Sequence, residues 1–204
     1  MLRRRRDAAR TGTSSDWLIV GLGNPGKEYE LTRHNVGAEA VNLLADRHGA
    51  KLRNHKERAL VDEVRMGEQR VALAIPTTYM NDSGDSLRRL VKRFGVEPEQ
   101  VIVIHDELDL PVAQLRMKVG GGVAGHNGLR SIKSHLHSDK FLRIRIGVGK
   151  PASKEHGADY VLKKFSPRER NEIDVTLAQS AAAAELIVTQ GIDAAMNQLH
   201  GNGG

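Results

Sequence analysis

Apolar positions along the chain alternate between short unbroken runs and helical stripes. Trp17–Leu22 is a short apolar run halted by glycine, the pattern of a buried strand. Val36–His48 places Val36, Ala40, Val41, Leu44 and Ala45 at helical spacing, with Gly49 at the C-terminal cap. Ala59–Met66 and Arg70–Ile75 flank Gly67-Glu68 and predict a hairpin. Asp82 or Ser83 caps a helix to Phe94 that gathers Leu87, Leu90, Val91 and Phe94 on one face, with Gly95 as its stop. The β-branched run Val101–Ile104 is the best candidate for a central strand. Leu115–Val119 and Leu142–Val148 predict further strands, and Leu129–His137 a short helix. Pro167 opens a long helix to about Thr189, and Ile192–Leu199 makes a last helical piece. Strands separated by helices predict an α/β fold. The expected form is a single-domain three-layer sandwich, with a mixed, mostly parallel twisted sheet flanked by helices.

The flanks break this pattern. Residues 1–16 have no apolar periodicity and read as a disordered Arg-rich tail, and residues 201–204 (GNGG) as a frayed end, leaving 17–200 as the domain. A length of 204 residues fits one domain, and 3% aromatic content requires an aliphatic core. The chain contains no cysteine, which excludes disulfides, a thiol nucleophile, Cys-ligated zinc and iron–sulfur clusters. No apolar run approaches the roughly 18 residues of a membrane span, and no apolar stretch follows the N-terminal arginines. These features fit a reducing compartment, and the expected location is the cytoplasm.

Charge adds a partner. Of a formal net charge of +6, residues 1–16 carry +3 (five Arg, two Asp) and residues 110–154 carry +8 (nine Lys/Arg, one Asp), leaving −5 elsewhere. A basic stretch on an acidic body points to an anionic partner, nucleic acid first; a solvated basic face is the plain alternative.

Five stretches could carry chemistry. Gly21-Leu22-Gly23-Asn24-Pro25-Gly26 has the dinucleotide-binding spacing, but that fingerprint must open a helix, and Lys27–Asn35 has no apolar stripe. Asn24-Pro25-Gly26 reads instead as a tight turn displaying the Asn24 amide at a strand end. Thr32-Arg33-His34-Asn35 places a histidine beyond a strand end, where open α/β sheets put their sites. Lone histidines are more often structural, so its location is what recommends it. Pro76–Gly84 follows a strand and offers Tyr79, Met80 and Asn81 to a ligand, although helix capping explains Asp82 or Ser83. His105-Asp106-Glu107-Leu108-Asp109 ends a greasy strand in carboxylates, one of them well placed to hydrogen-bond a histidine and favour its imidazolium. Glu107 and Asp109 read equally well as solvated turn residues. Gly120–Gly128 has five glycines in nine residues, offers Asn127, and sits between basic side chains; its plain reading is a flexible connector. There is no G-x-S-x-G and no H-E-x-x-H, and His135-x-His137 is too sparse for a metal site. A histidine, a carboxylate, asparagines and a basic surface suit a hydrolase that activates water and acts on a polyanion.

GLGNPG…Y…TRHN, PTTYMNDSG, HDELDLP and GGGVAGHNGLRS, in this order and spacing, resemble bacterial peptidyl-tRNA hydrolase from about Trp17 to His200. The departures are the Arg-rich extension and Val123-Ala124. The resemblance implies a monomeric esterase without metal or cofactor. The implied substrate is peptidyl-tRNA that has dropped off or stalled on ribosomes, with the stalled large ribosomal subunit as a further implied partner. It also implies roles. His34 resembles the proton acceptor that activates water, Asp106 its partner, and Asn24 the residue that separates N-blocked from free aminoacyl-tRNA. Tyr29, Tyr79, Asn81 and Asn127 resemble the substrate-binding set, with both asparagines near the water and the developing oxyanion. Lys118 and Arg145 match a pair that grips phosphate near the acceptor end. Two other classes compete: a dinucleotide-dependent oxidoreductase, and a non-catalytic RNA-binding relative of the same fold.

Overall fold

The computed structural model describes residues 14–151, 153 and 156–201. Seven strands form one sheet: β1 (Trp17–Gly21), β2 (Arg53–His55), β3 (Ala59–Met66), β4 (Gln69–Pro76), β5 (Val101–Glu107), β6 (Leu115–Val119) and β7 (Leu142–Gly147). Their order is β2-β3-β4-β1-β5-β7-β6. The central strands β4, β1, β5 and β7 are mutually parallel, whereas β3 and β6 pair antiparallel at the two sides. The expected mixed sheet is thus present, with the β3–β4 hairpin as one source of the mixing.

Alternation along the strands makes two cores. Ile19, Ile102, Ile104 and Ile144 pack with α1 (Val36–Arg47), α5 (Pro167–Gln190) and α6 (Ile192–Gly201). Leu18, Val20, Val101 and Val103 pack with α2 (Ser83–Phe94) and α3 (Asn127–Leu136). The two helical layers and the sheet between them are the three-layer sandwich. α1 lies directly on the strand backbones: a Cβ on Gly37 would collide with the Ile104 carbonyl, and one on Gly21 with the Gly37 carbonyl. That contact sets the start of α1, and the His34 turn before it, against the end of β5.

The cap signals at the C-terminal ends and at α5 hold, whereas Asp82, the N-cap residue of α2, makes no side-chain capping bond and the Ser83 hydroxyl donates instead to the Met80 carbonyl. Gly49 and Gly95 take left-handed backbone at the ends of α1 and α2. Pro167 follows Ser166, whose hydroxyl and Glu169 form a capping box. Two elements escaped the hydrophobic pattern: the three-residue exposed strand β2 and the five-residue helix α4 (Gly157–Val161), both too short for a period. β5 continues three residues past Ile104, so His105, Asp106 and Glu107 are buried strand residues. This removes the solvated-turn reading of Glu107, while Asp109 is exposed and pairs with Lys150. α3 begins at Asn127, two residues before the apolar stripe.

The border expected after residue 16 falls inside the hydrogen-bonded body. The Ser15 amide donates to the Phe94 carbonyl, and Asp16 exchanges bonds with Arg70. The remainder of the tail, residues 1–13, and residues 202–204 lie outside the described residues, whereas Gly201 ends α6. Among the described residues no helix is long and apolar enough to cross a membrane.

Candidate active site

The candidate residues collect at the carboxyl ends of the parallel strands. β1 leads toward α1 on one face of the sheet, and its neighbour β4 leads to α2 on the other. Connections that part in this way leave a crevice, the usual location of a site in an open α/β sheet. The loops after β1 and β4, the end of β5 and the start of α3 supply its side chains.

At the centre, His34 Nδ1 lies 2.9 Å from Asp106 Oδ1. Both residues are buried. His126 Nε2 lies 2.9 Å from the same oxygen. His126 is also the N-cap of α3, its Nδ1 accepting from the Leu129 amide at 3.3 Å. That cap fixes the proton of His126 on Nε2, which therefore donates to Asp106. His34 likewise donates from Nδ1, which leaves its Nε2 with a lone pair. Among the described residues no group is hydrogen-bonded to that nitrogen. Burial by itself lowers the His34 pKa, but the charge and hydrogen bond of Asp106 outweigh it, and the pKa lies above the usual histidine value. Burial likewise opposes charge on Asp106, yet the His34 charge and the hydrogen bonds from both rings hold its carboxyl well below the usual carboxylate range.

A second buried histidine backs this centre. His105 Nδ1–H donates to the Asp106 carbonyl at 2.7 Å, and its Nε2 accepts from Arg143 Nε at 3.2 Å. Its edge meets the His126 ring at a centroid distance of 5.1 Å. Burial, His126 and Arg143 push the His105 pKa well down, so this ring stays neutral. The Arg143 guanidinium is buried and also donates to the carbonyls of Gly122 (2.8 Å) and Gly120 (3.5 Å), pinning the glycine-rich loop.

Asn24 is held on both sides. Its amide N–H donates to Asn35 Oδ1 (2.8 Å) and its carbonyl accepts from Asn35 Nδ2 (3.0 Å). Its side-chain oxygen accepts from the Met80 amide at 2.7 Å. The Asn24 Nδ2 group is thus the part left to meet a ligand. Gly26 precedes a single 3₁₀ turn, Lys27–Tyr29, rather than a helix, which removes the support for a dinucleotide site. Tyr29 and Tyr79 meet edge to face with ring centroids 6.3 Å apart, Tyr79 being exposed. Asn81 is exposed on the 3₁₀ turn Met80–Asp82. Asn127 is exposed as the first residue of α3 and accepts from Arg130. Behind the His34 turn, Arg33 Nη2 donates to both carboxylate oxygens of Glu169 (2.9 and 3.1 Å), and its guanidinium stacks on Tyr160 and Phe165.

The basic side chains lie together on one face of β6 and β7. In register, Arg116 stands opposite Arg145 and Lys118 opposite Arg143. Lys118 is exposed, and Arg145 donates from Nε to Glu107 at 3.0 Å. The charge concentrated in residues 110–154 thus has a spatial counterpart beside the glycine-rich loop.

His34, Asp106 and His126 also place three ligand-type atoms within 4.8 Å of one another. The hydrogen bonding does not suit an ion. Metal on His126 Nε2 would move that ring's proton to Nδ1, against the N–H of Leu129. Metal on His34 Nδ1 would displace the hydrogen bond to Asp106 and place the ring proton on Nε2. The set is built to hold protons.

Of the residues singled out in the sequence, His34 and Asp106 touch directly, Asn24 joins the Met80 loop, and Tyr29 meets Tyr79. Asn127 adjoins His126, while Lys118 and Arg145 form a separate basic cluster. His126 and Asn35 are the residues the sequence reading missed as site members, although both stand inside the motifs. A helix start placed at Leu129 hid the cap position of His126; His-Asn-Gly-Leu before an apolar stripe was the available signal.

The family model for peptidyl-tRNA hydrolase matches residues 18–203. A peptidyl-tRNA hydrolase of Nocardia farcinica is 50% identical over 184 residues, 90% of this chain and 95% of the relative. That of Mycolicibacterium vanbaalenii is 47% identical over 184 residues, 90% of this chain and 96% of the relative. The crystal structure of peptidyl-tRNA hydrolase from Acinetobacter baumannii superposes with a TM-score of 0.87 at 40% identity, covering 93% of this chain and 96% of that one.

Proposed function

This chain belongs to the peptidyl-tRNA hydrolase family, and from that premise we propose that it cleaves the ester between a peptide, or an N-blocked amino acid, and tRNA, with His34 as the base. The observation that carries the role of His34 is its hydrogen bond to buried Asp106, which leaves Nε2 as the free basic nitrogen. His34 Nε2 takes a proton from water as the water oxygen attacks the ester carbonyl. The tetrahedral intermediate then collapses, and the proton passes to the departing ribose oxygen. Asp106 stabilises the imidazolium between these events, and His126 keeps Asp106 in place.

The side-chain amides of Asn81 and Asn127 serve the water and the developing oxyanion, a role worth about 10²–10³-fold when a donor is preorganised. Asn24 Nδ2 reads the acylated amine of the substrate, its rigid mounting favouring selection over adaptation. Tyr29 and Tyr79 give the peptide and terminal nucleotide an aromatic wall. Lys118 and Arg145 hold a backbone phosphate, a contact that weakens with salt. The protein acts as a cytoplasmic monomer on peptidyl-tRNA released from, or stalled on, ribosomes. The intact His34–Asp106 pair favours this activity over a non-catalytic RNA-binding role. Release of tRNA from N-blocked aminoacyl-tRNA tests the reading: wild type should turn over, and His34→Ala should bind while losing about 10²-fold or more in turnover.

A further inference from the structure

A buried carboxylate stands beneath the basic face of β6 and β7. Glu107, the last residue of β5, is 4% exposed. Its Oε1 accepts from the Asp109 amide at 3.1 Å, and its Oε2 accepts from Arg145 Nε at 3.0 Å. The nearest Arg143 nitrogen lies 3.9 Å from Oε2. The two arginines of β7 therefore differ. Arg143 is spent inward on His105 and the glycine-loop carbonyls. Arg145 is anchored through Nε alone, and among the described residues its two terminal nitrogens have no protein partner. Those two nitrogens are a pair that can grip a phosphate bidentately, provided the guanidinium plane is fixed.

We propose that Glu107 is a positioning residue for the RNA phosphate clamp, holding Arg145 by Nε so that its terminal nitrogens meet a tRNA backbone phosphate. This rests on the assignment of Arg145 to tRNA binding made above. The competing electrostatic view has the opposite sign. If Glu107 merely offset positive charge, neutralising it would strengthen tRNA binding.

Glu107→Gln separates the two. A glutamine has one acceptor oxygen, so its NH₂ must face either the Asp109 amide or Arg145 Nε, and one contact is lost. On full-length N-blocked aminoacyl-tRNA, KM should rise roughly 3- to 10-fold with kcat changed less than about twofold, as expected when one charge-assisted contact weakens. The log–log salt slope of binding should become shallower. An N-blocked aminoacyl ester of adenosine, which lacks the acceptor stem, should be cleaved as by wild type. In an Arg145→Ala background, Glu107→Gln should add nothing to KM. Arg145→Lys, which keeps the charge without the fork, supplies a second reading and should raise KM similarly. A lower KM with a steeper salt slope in Glu107→Gln, additive effects in the double variant, or unchanged KM in Arg145→Lys would each overturn the proposal. So would a fall in kcat on the adenosine ester. Failure of the wild-type protein to cleave either substrate would instead overturn the hydrolase reading.

Discussion

Asp106 receives two histidine protons on one oxygen, and the pH dependence of the enzyme follows from that sharing. The proposed role of His34 as base requires a free Nε2, so kcat/KM should fall as pH drops through its free-enzyme pKa. That pKa lies above the ordinary value of about 6.5 because the pull of Asp106 exceeds the effect of burial. Asp106→Asn removes the charge. The acid limb of the kcat/KM profile should then move to lower pH, with kcat reduced roughly 10²–10⁴-fold. His126→Ala should move the limb the other way, because Asp106 loses a donor and acts more strongly on His34. The same change removes the side-chain cap of α3, at a cost of about 1 kcal/mol. A limb that moves in the same direction in both variants would contradict this account. Asn24→Asp tests selectivity in the same way. An aspartate still accepts from the Met80 amide but offers no donor, so the preference for N-blocked over free aminoacyl-tRNA should shrink. An unchanged ratio of the two kcat/KM values would remove Asn24 from that role.

At the scale of elements, two contacts position the centre from outside it. Gly37→Ala would drive a methyl group into the Ile104 carbonyl and lift the start of α1, with the His34 turn, off β5. Overpacking of this kind costs about 1–3 kcal/mol, and kcat should fall with the thermal midpoint. Ser166→Ala removes half of the α5 capping box and should cost about 1 kcal/mol, with kcat retained. A thermal melt and a rate measurement on each variant make the check; equal loss of kcat in the two would deny α1 its positioning role. Most elements were legible because a stripe or run of apolar residues and a cap agreed, as in α1, α2, α5 and the β3–β4 hairpin. The end of β5 was not, since His105, Asp106 and Glu107 are polar residues held in a buried strand by tertiary hydrogen bonds to Arg143, His34 and Arg145. Those bonds join residues far apart in sequence, and local pattern carries no sign of them. The start of α3 was misplaced for a related reason, its cap being a histidine rather than one of the usual capping residues.

Over the whole molecule, the charge imbalance and the buried histidines give two global responses. Lys118→Ala and Arg145→Ala should raise KM for full-length tRNA more than they lower kcat, each reducing the log–log salt slope by about 0.7–0.9. Stability should respond to pH through His105. Its folded pKa is depressed, so below about 6.5 the unfolded chain takes up a proton that the folded protein refuses, and stability declines as pH falls. His34 acts in the opposite sense. Its raised pKa contributes stability below about 6.5 that is lost as pH rises through the folded value. The difference between wild type and His105→Gln isolates the first effect: the variant should lose less stability between neutral and acid pH. The central claim, that His34 is the base of a peptidyl-tRNA hydrolase, is tested most directly by tRNA release from N-blocked aminoacyl-tRNA with binding measured in parallel. His34→Ala should lose about 10²-fold or more in kcat while binding the substrate within about twofold of wild type; wild-type turnover by His34→Ala would contradict the account.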